Sequence, residues 1–121
     1  MSGELVVIAL GGNAIKQAHE QGTTEEQVLN VDKTAQQLAH IIAAGYRPVV
    51  THGNGPQAGS LLIQQEEARD YVPAQTLAVC GAMTQGQIGW MMQNRISYRL
   101  KEAGVHRPVC SVVTQVEVSD E

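Results

Sequence analysis

The sequence predicts an α/β fold with a parallel sheet, and three observations lead to this class. Short apolar runs rich in β-branched residues alternate with longer stretches of helical periodicity. Their order is strand, helix, strand, helix, helix, strand, and strands joined through helices pair in parallel with right-handed crossovers. The chain has 121 residues, the length of one domain or of part of a larger one.

Composition limits the classes of partner. Hydrophobic residues make up 43% and charged residues 17%, which is typical of a globular chain, and the formal charge of −4 provides no general attraction for nucleic acid or an anionic membrane. The longest apolar run is far shorter than the roughly 20 residues that span a bilayer. With no basic leader or cleavage pattern, we expect a cytoplasmic protein in which Cys80 and Cys110 are reduced core residues.

The first two elements are predicted from local signals. The run Leu5–Leu10 suits a strand that is buried on both faces. Thr23 and Glu26 have the spacing of a capping box, and Gly45 is suited to the position after a helix. The apolar face of the helix between them consists of Val28, Val31, Ala35, Leu38 and Ile42.

A second strand and a second helix follow. Residues 47–52 (RPVVTH) have strand composition, with Pro48 at the entry, where a missing amide donor does least harm. Pro56 suits the first position of a helix that we expect to run to about Arg69. The segment DYVP then interrupts the pattern.

A long helix and a third strand complete the predicted order. The helix should run from about residue 74 to 103 and end at Gly104, and residues 107–118 (RPVCSVVTQVEV) return to strand composition. The junctions AAGYRPVV and EAGVHRPVC share one order of residues, which indicates one structural solution used twice. Three glycines in the helix predict a close approach by another helix: Gly81, Gly86 and Gly89.

Two glycine loops are the candidate functional site. GGNA at 11–14 and HGNGPQ at 52–57 each follow a strand, at the strand ends where ligands of such sheets bind. Glycines permit positive φ and let backbone N–H groups converge on an anion, while the side-chain amides of Asn13 and Asn54 can donate to phosphoryl or carboxyl oxygens. Neither loop is a Walker A or GxGxxG motif. A phosphate site is predicted, with simple tight turns as the alternative.

Four segments in order carry a family resemblance: VVIALGGNAI, VVTHGNGPQAGSLL, CGAMTQGQIGW and VVTQVEV. They resemble the N-terminal half of carbamate kinases, in the amino acid kinase family. The resemblance implies a three-layer αβα sandwich with a mainly parallel sheet, apparently incomplete in this chain. It also implies a cytoplasmic homodimer that transfers a phosphoryl group reversibly between carbamoyl phosphate and MgADP, giving ATP and carbamate.

The resemblance also implies roles for individual residues. The catalytic residues that face the transferring phosphoryl group would be Gly11, Gly12 and Asn13. The residues that hold carbamate would be Gly53, Asn54 and Gly55. His52 either bonds to the ligand or fixes the loop. Ala9 stands where many members of the wider family have lysine, which favours carbamate kinase and means that the catalytic positive charge comes from elsewhere.

The expected domain is the substrate-binding portion of an amino acid kinase, residues 1–121, without the half that binds ATP or ADP and Mg²⁺. The three lysines match none of the family's catalytic lysines: Lys16, Lys33 and Lys101. We therefore expect this chain alone to be inactive. Alternatives are a noncatalytic anion-binding or interaction module left by truncation, and a family kinase for another small carboxylate or phosphonate.

The histidines, the segment TQGQ and residues 90–92 are further candidates for functional roles. The four histidines lack metal-ligand spacing, so no metal site is expected in this chain: His19, His40, His52 and His106. The segment TQGQ at 84–87 resembles a family segment at the subunit interface near the site, or it is a polar patch on a packed helix. Trp90, Met91 and Met92 are expected to be core or dimer contacts.

Overall fold

The computed structural model describes residues 3–120 and contains a two-stranded parallel sheet and three α-helices. In chain order the elements are β1 (Leu5–Leu10), a short 3₁₀ turn (Gly12–Ala14), α1 (Thr24–Ala43), β2 (Arg47–His52), α2 (Gly55–Ala68) and α3 (Leu77–Glu102). The predicted order of the first five strands and helices is confirmed.

The sheet is parallel, as predicted, and its register is simple. Leu5 lies opposite Arg47, and the pairing continues residue by residue until Leu10 lies opposite His52. Both strands therefore end at the same level of the sheet.

The N-terminus of α1 has the predicted capping box. The backbone N–H of Glu26 donates to Thr23 Oγ1 over 3.2 Å, while Glu26 Oε2 accepts the N–H of Thr23 over 3.0 Å and that of Gly22 over 2.7 Å. The N–H donors of Thr23 and Gly22 hold the pKa of the Glu26 carboxyl below its ordinary value. The local signal was sufficient because all of its partners lie within four residues.

At the two similar junctions in the sequence, the helices end in the same way. At the end of α1, the N–H of Tyr46 donates to Ile41 O and that of Gly45 donates to Ile42 O, with Gly45 at φ +102°. The end of α3 repeats both bonds, with Gly104 at φ +70°. Both glycines occupy the left-handed position of a Schellman motif, which residues with a Cβ rarely adopt.

The core lies between α1, α3 and one face of the sheet. Its buried side chains are Ile15, Val31, Ala35, Leu38, Ala39, Ile88, Met91, Met92, Ile96 and Leu100. Ile8, Leu10 and Val50 of the sheet pack against this cluster. The opposite face is open, since Leu5 is 60% and Val7 70% exposed. The prediction that β1 is buried on both faces is therefore wrong, because the helices among residues 3–120 cover only one face of the sheet.

The predicted third strand is absent from the described residues. Residues 107–118 form no helix or strand. Part of this segment lies near β2, and the two line a cavity of about 550 Å³. A strand is defined by hydrogen bonds to a neighbouring backbone, and no strand pairs with this segment. The segment also bonds to α3: the N–H of Thr114 donates to Gln85 Oε1 over 2.8 Å, and Gln85 Nε2 donates to Thr114 O over 3.3 Å.

Gly89 explains how this last segment approaches α3. A Cβ added to Gly89 would lie 2.8 Å from Ser111 Cβ, and Ser111 Oγ donates to Gly89 O over 3.0 Å. A Cβ added to Gly81 or Gly86 would meet nothing within 4 Å. The prediction that these glycines admit another helix is wrong, because the close approach is made at Gly89 by an irregular segment.

An ion cluster joins α1 to α3. Asp32 of α1 accepts from Arg95 Nε over 2.8 Å and also from the guanidinium of Arg99, with all three side chains at most 25% exposed. The hydrogen bond from Arg99, supported by Arg95, holds the pKa of the Asp32 carboxyl below its ordinary value. Sequence reasoning did not identify this cluster.

The expectations about the cysteines, residues 90–92 and membrane-spanning helices also have outcomes in the structure. Cys80 is buried, as predicted, but Cys110 is exposed on the irregular last segment, so its assignment to the core is wrong. Met91 and Met92 belong to the core, whereas Trp90 is 60% exposed. Across residues 3–120, no helix combines the length and the apolarity that a membrane span requires.

Candidate functional site

The two glycine loops lie side by side at the carboxyl end of the sheet. Leu10 and His52 are partners in the register, so Gly11 and Gly53 leave the sheet at equivalent positions. Neighbouring strands are about 4.8 Å apart. The structure therefore brings the two predicted groups of site residues, 11–13 and 52–55, to one edge of the sheet.

The first loop continues into the 3₁₀ turn. The N–H of Ala14 donates to Gly11 O over 3.0 Å, and the N–H groups of Ile15 and Lys16 donate to Gly12 O over 3.1 and 3.0 Å. The first N–H groups of a helical turn have no partner within that turn, so those of Gly12 and Asn13 can face an anion. Asn13 is exposed at the same place.

Neither packing nor backbone strain requires glycine in these loops. Within the described residues, positive φ occurs only at Gly22, Gly45 and Gly104. The expected use of positive φ in the loops is therefore wrong. An added Cβ would meet nothing within 4 Å at four loop positions: Gly11, Gly12, Gly53 and Gly55. Glycine at these positions leaves open space over the backbone, where another molecule can approach closely.

The second loop is held by a side-chain contact with α3. Asn54 Nδ2 donates to Thr84 Oγ1 over 2.6 Å and to Gly81 O over 3.2 Å. An asparagine before a helix commonly caps the helix with its own side chain, but Asn54 makes no such bond to α2. The amide nitrogen of Asn54 thus bonds inside the protein, which does not support the expectation that Asn54 donates to a ligand.

His52 contacts its own loop. Its Nδ1 lies 3.2 Å from Gly53 O, a distance at which a protonated Nδ1 donates to the carbonyl. This contact supports the reading in which His52 fixes the loop.

Three buried polar side chains, those of Gln27, Asn30 and Gln57, make hydrogen bonds beside the loops and were not identified from the sequence. Gln57, in the first turn of α2, donates to Gln27 Oε1 over 3.0 Å, and Gln27 donates to Gly22 O over 2.8 Å. Asn30 donates to Ile15 O over 3.2 Å and to Glu20 Oε2 over 2.7 Å. Gln27 and Asn30 share the apolar face of α1 with Val31, and polar residues on such a face were the available signal.

The segment TQGQ on α3 makes bonds within the chain. Thr84, which is 0% exposed, accepts a hydrogen bond from Asn54, and Gln85 accepts one from the N–H of Thr114. A role at a subunit interface stays a prediction. In the part of the chain that the structure describes, no three His, Cys, Asp or Glu side chains are grouped so as to hold a metal ion.

Comparisons with known proteins give the family of the chain. The sequence pattern of the amino acid kinase family matches residues 4–117. The chain is 52% identical over 116 residues to the carbamate kinase of Thermococcus kodakarensis, covering 93% of this chain and 37% of the relative. It is 49% identical over 118 residues to the carbamate kinase of Pyrococcus furiosus, covering 96% and 38%.

The fold is also similar to that of a solved carbamate kinase structure. The carbamate kinase from Giardia lamblia bound to AMP-PNP superposes with a TM-score of 0.84 at 42% identity, covering 89% of this chain and 37% of that one. These similarities confirm the predicted carbamate kinase-like α/β fold class. The chain spans little more than a third of the length of the relatives it matches.

Proposed function

Because the chain belongs to the amino acid kinase family, we propose that it is the substrate-binding portion of a carbamate kinase. The reaction would be reversible phosphoryl transfer between carbamoyl phosphate and MgADP, giving ATP and carbamate. The observation that carries this proposal is the pair of glycine loops that leave adjacent parallel strands at the same level. The family resemblance supplies the reaction and the identity of the substrate.

The proposed roles follow the positions of the loops. Gly11, Gly12 and Asn13 face the phosphoryl group, whose oxygens accept from the N–H groups at the start of the 3₁₀ turn. Residues 53–55 hold the carbamate end at the N-terminus of α2, where the helix carries partial positive charge. Phosphoryl transfer requires little covalent work from a protein, so donors that are already in position supply most of the protein's contribution.

The nucleotide and its Mg²⁺ are assigned to residues outside this chain. Among residues 3–120, no three His, Cys, Asp or Glu side chains are grouped so as to hold a metal ion, and Ala9 in β1 provides no positive charge beside the loops. The 121 residues alone are therefore proposed to be inactive. By resemblance, the protein that contains them would act in the cytoplasm.

We also propose a homodimer, supported by an exposed apolar stripe on α3. Val79, Met83 and Trp90 lie on one side of this helix by their spacing and are 42%, 45% and 60% exposed. Exposed apolar residues that share one face of a helix are typical of association surfaces.

The test uses the natural protein, which is the form that the cells of its source organism produce. Its intact mass is measured, and then ATP formation from carbamoyl phosphate and MgADP. A mass more than twice 13.0 kDa together with turnover supports the proposal. A 13.0 kDa species without turnover contradicts it and favours a noncatalytic anion-binding module. Turnover with another small carboxylate or phosphonate instead would change the substrate but keep the family.

A further inference from the structure

The side-chain amide of Asn54 has a defined orientation. Thr84 Oγ1 lies 3.0 Å from Gly81 O, which can only accept, so the Thr84 hydroxyl hydrogen is donated there. The amide atom of Asn54 that faces α3 lies 2.6 Å from that hydroxyl oxygen and 3.2 Å from the same carbonyl. Both neighbours accept, so this atom must be the nitrogen. A reversed amide would place two carbonyl oxygens against each other.

The oxygen of the amide is consequently turned away from α3. Asn54 Oδ1 has no hydrogen-bond partner among residues 3–120, and no buried side-chain N or O atom in that range lacks a partner. Oδ1 is therefore accessible to solvent, in the loop between β2 and α2. Asn54 offers a ligand an acceptor, because its nitrogen already lies against two acceptors of α3.

An acceptor at this position selects the chemistry of the ligand. The oxygens of a phosphoryl group or a carboxylate carry negative charge and would be repelled by Oδ1, whereas an N–H group would be bound. The carbamoyl group carries an NH₂ with two N–H donors. Its acetyl analogue has a methyl group at the same place and nothing to donate.

We propose that Thr84 is a positioning residue that gives the site its preference for carbamoyl over acetyl substrates, acting through the amide of Asn54. This inference rests on the proposed function, since it assigns the specificity of the same site. Asn54 Oδ1 accepts from the substrate NH₂, and the buried hydroxyl of Thr84 prevents the amide from reversing. A site that hydrogen-bonds a substrate NH discriminates strongly against an analogue that lacks it.

The experiment compares two phosphoryl donors in the natural protein. ATP formation from MgADP is measured with carbamoyl phosphate and with acetyl phosphate, and the ratio of their kcat/KM values is the readout. Thr84→Val removes the hydroxyl at nearly constant volume, and we expect the ratio to fall about tenfold, the worth of one hydrogen bond. Thr84→Ser keeps the hydroxyl and should stay within about twofold of the wild-type ratio.

Two further variants separate specificity from folding. Asn54→Ala removes the acceptor from a partly exposed position and should lower the ratio at least as much as Thr84→Val. Gln85→Ala, at the neighbouring position of α3, loses its bonds to Thr114 and should leave the ratio unchanged. Melting temperatures of all variants show whether each is folded.

The outcomes distinguish the two proposals. If Thr84→Val and Asn54→Ala lower kcat/KM equally for both donors, Thr84 is only structural and the inference is overturned while carbamate kinase activity stands. If the wild-type protein forms ATP from neither donor, the proposed function fails and the inference fails with it. A selective loss for carbamoyl phosphate in both variants supports the inference.

Discussion

Leu10 and His52 lie opposite each other as the last residue pair of the parallel sheet. The loops that follow them therefore start from adjacent points, and residues that are about forty positions apart in the sequence lie together in the candidate site. The geometry of the site depends on this register.

Bulky side chains in the loops should block the substrate and leave the fold intact. At Gly12 and Gly55 an added Cβ meets nothing within 4 Å, so Gly12→Val or Gly55→Val would fill only the space offered to a ligand. We expect the KM for carbamoyl phosphate in the natural protein to rise at least tenfold. Gly59→Val, one turn further along α2 and also in open space, is the matched control. Unchanged KM values in both loop variants would contradict the assignment.

The Asp32 cluster should make stability depend on pH. Because the folded-state pKa of Asp32 is lowered, its contribution to stability is present above the ordinary carboxyl pKa and is lost as the pH falls through the folded-state pKa. Asp32→Asn should lower the melting temperature at pH 7, and the difference from wild type should shrink toward pH 3. Asp70→Asn, on an exposed turn, is the control. A difference that is the same at both pH values would show that charge is not involved.

The capping box should contribute measurably to the stability of α1. Thr23→Ala removes the acceptor for the Glu26 N–H, and we expect the free energy of unfolding to fall by about 1 kcal/mol. Thr23→Ser retains the hydroxyl and should recover most of this loss. Urea denaturation monitored by circular dichroism measures both. Equal losses in the two variants would mean that the methyl group of Thr23, and not its hydroxyl, is important.

Two glycines of α3 should respond to alanine with opposite signs. At Gly89 the new Cβ would lie 2.8 Å from Ser111 Cβ, so Gly89→Ala must displace residues near 111 and destabilise the protein. At Gly86 the Cβ meets nothing within 4 Å, and Gly86→Ala should raise the free energy of unfolding by up to about 1 kcal/mol. Thermal denaturation measures both. A stabilised Gly89→Ala variant would show that the last segment does not pack here in solution.

The apolar stripe on α3 should mediate self-association. Trp90→Asp places a charge on the exposed stripe and should convert a dimer of the natural protein into a monomer, as measured by sedimentation velocity. Tyr71→Asp changes an aromatic residue that is 89% exposed, in the turn after α2, and should leave the dimer intact. A natural protein that is monomeric, or a dimer that Trp90→Asp leaves unchanged, would contradict the homodimer proposal.

Elements with local causes were predictable. The bounds of β1 match the apolar run residue for residue, and α1 begins and ends where its capping box and Gly45 indicate. Helix α2 begins one residue before Pro56, and α3 begins three residues later than expected. These boundaries depend on neighbouring residues, so the sequence contains their physical cause.

Features that depend on distant partners were not predictable in the same way. Residues 107–118 have strand composition, but composition cannot supply the neighbouring backbone that a strand requires. The same limit applies to Cys110, whose exposure follows from where that segment lies, and to the outer face of β1, which no described helix covers. Burial and pairing are properties of the assembled chain.

The sequence by itself determined the helices, the first two strands and the presence of two glycine loops at strand ends, because hydrophobic periodicity, caps and turn residues act over a few positions. Only the tertiary structure decided the link between Asp32 and Arg99, which are 67 positions apart, and the orientation of the Asn54 amide by Thr84, 30 positions away. Such contacts require α3 to pack against the rest of the chain. The acceptor that we propose Asn54 offers to a ligand is therefore a product of folding.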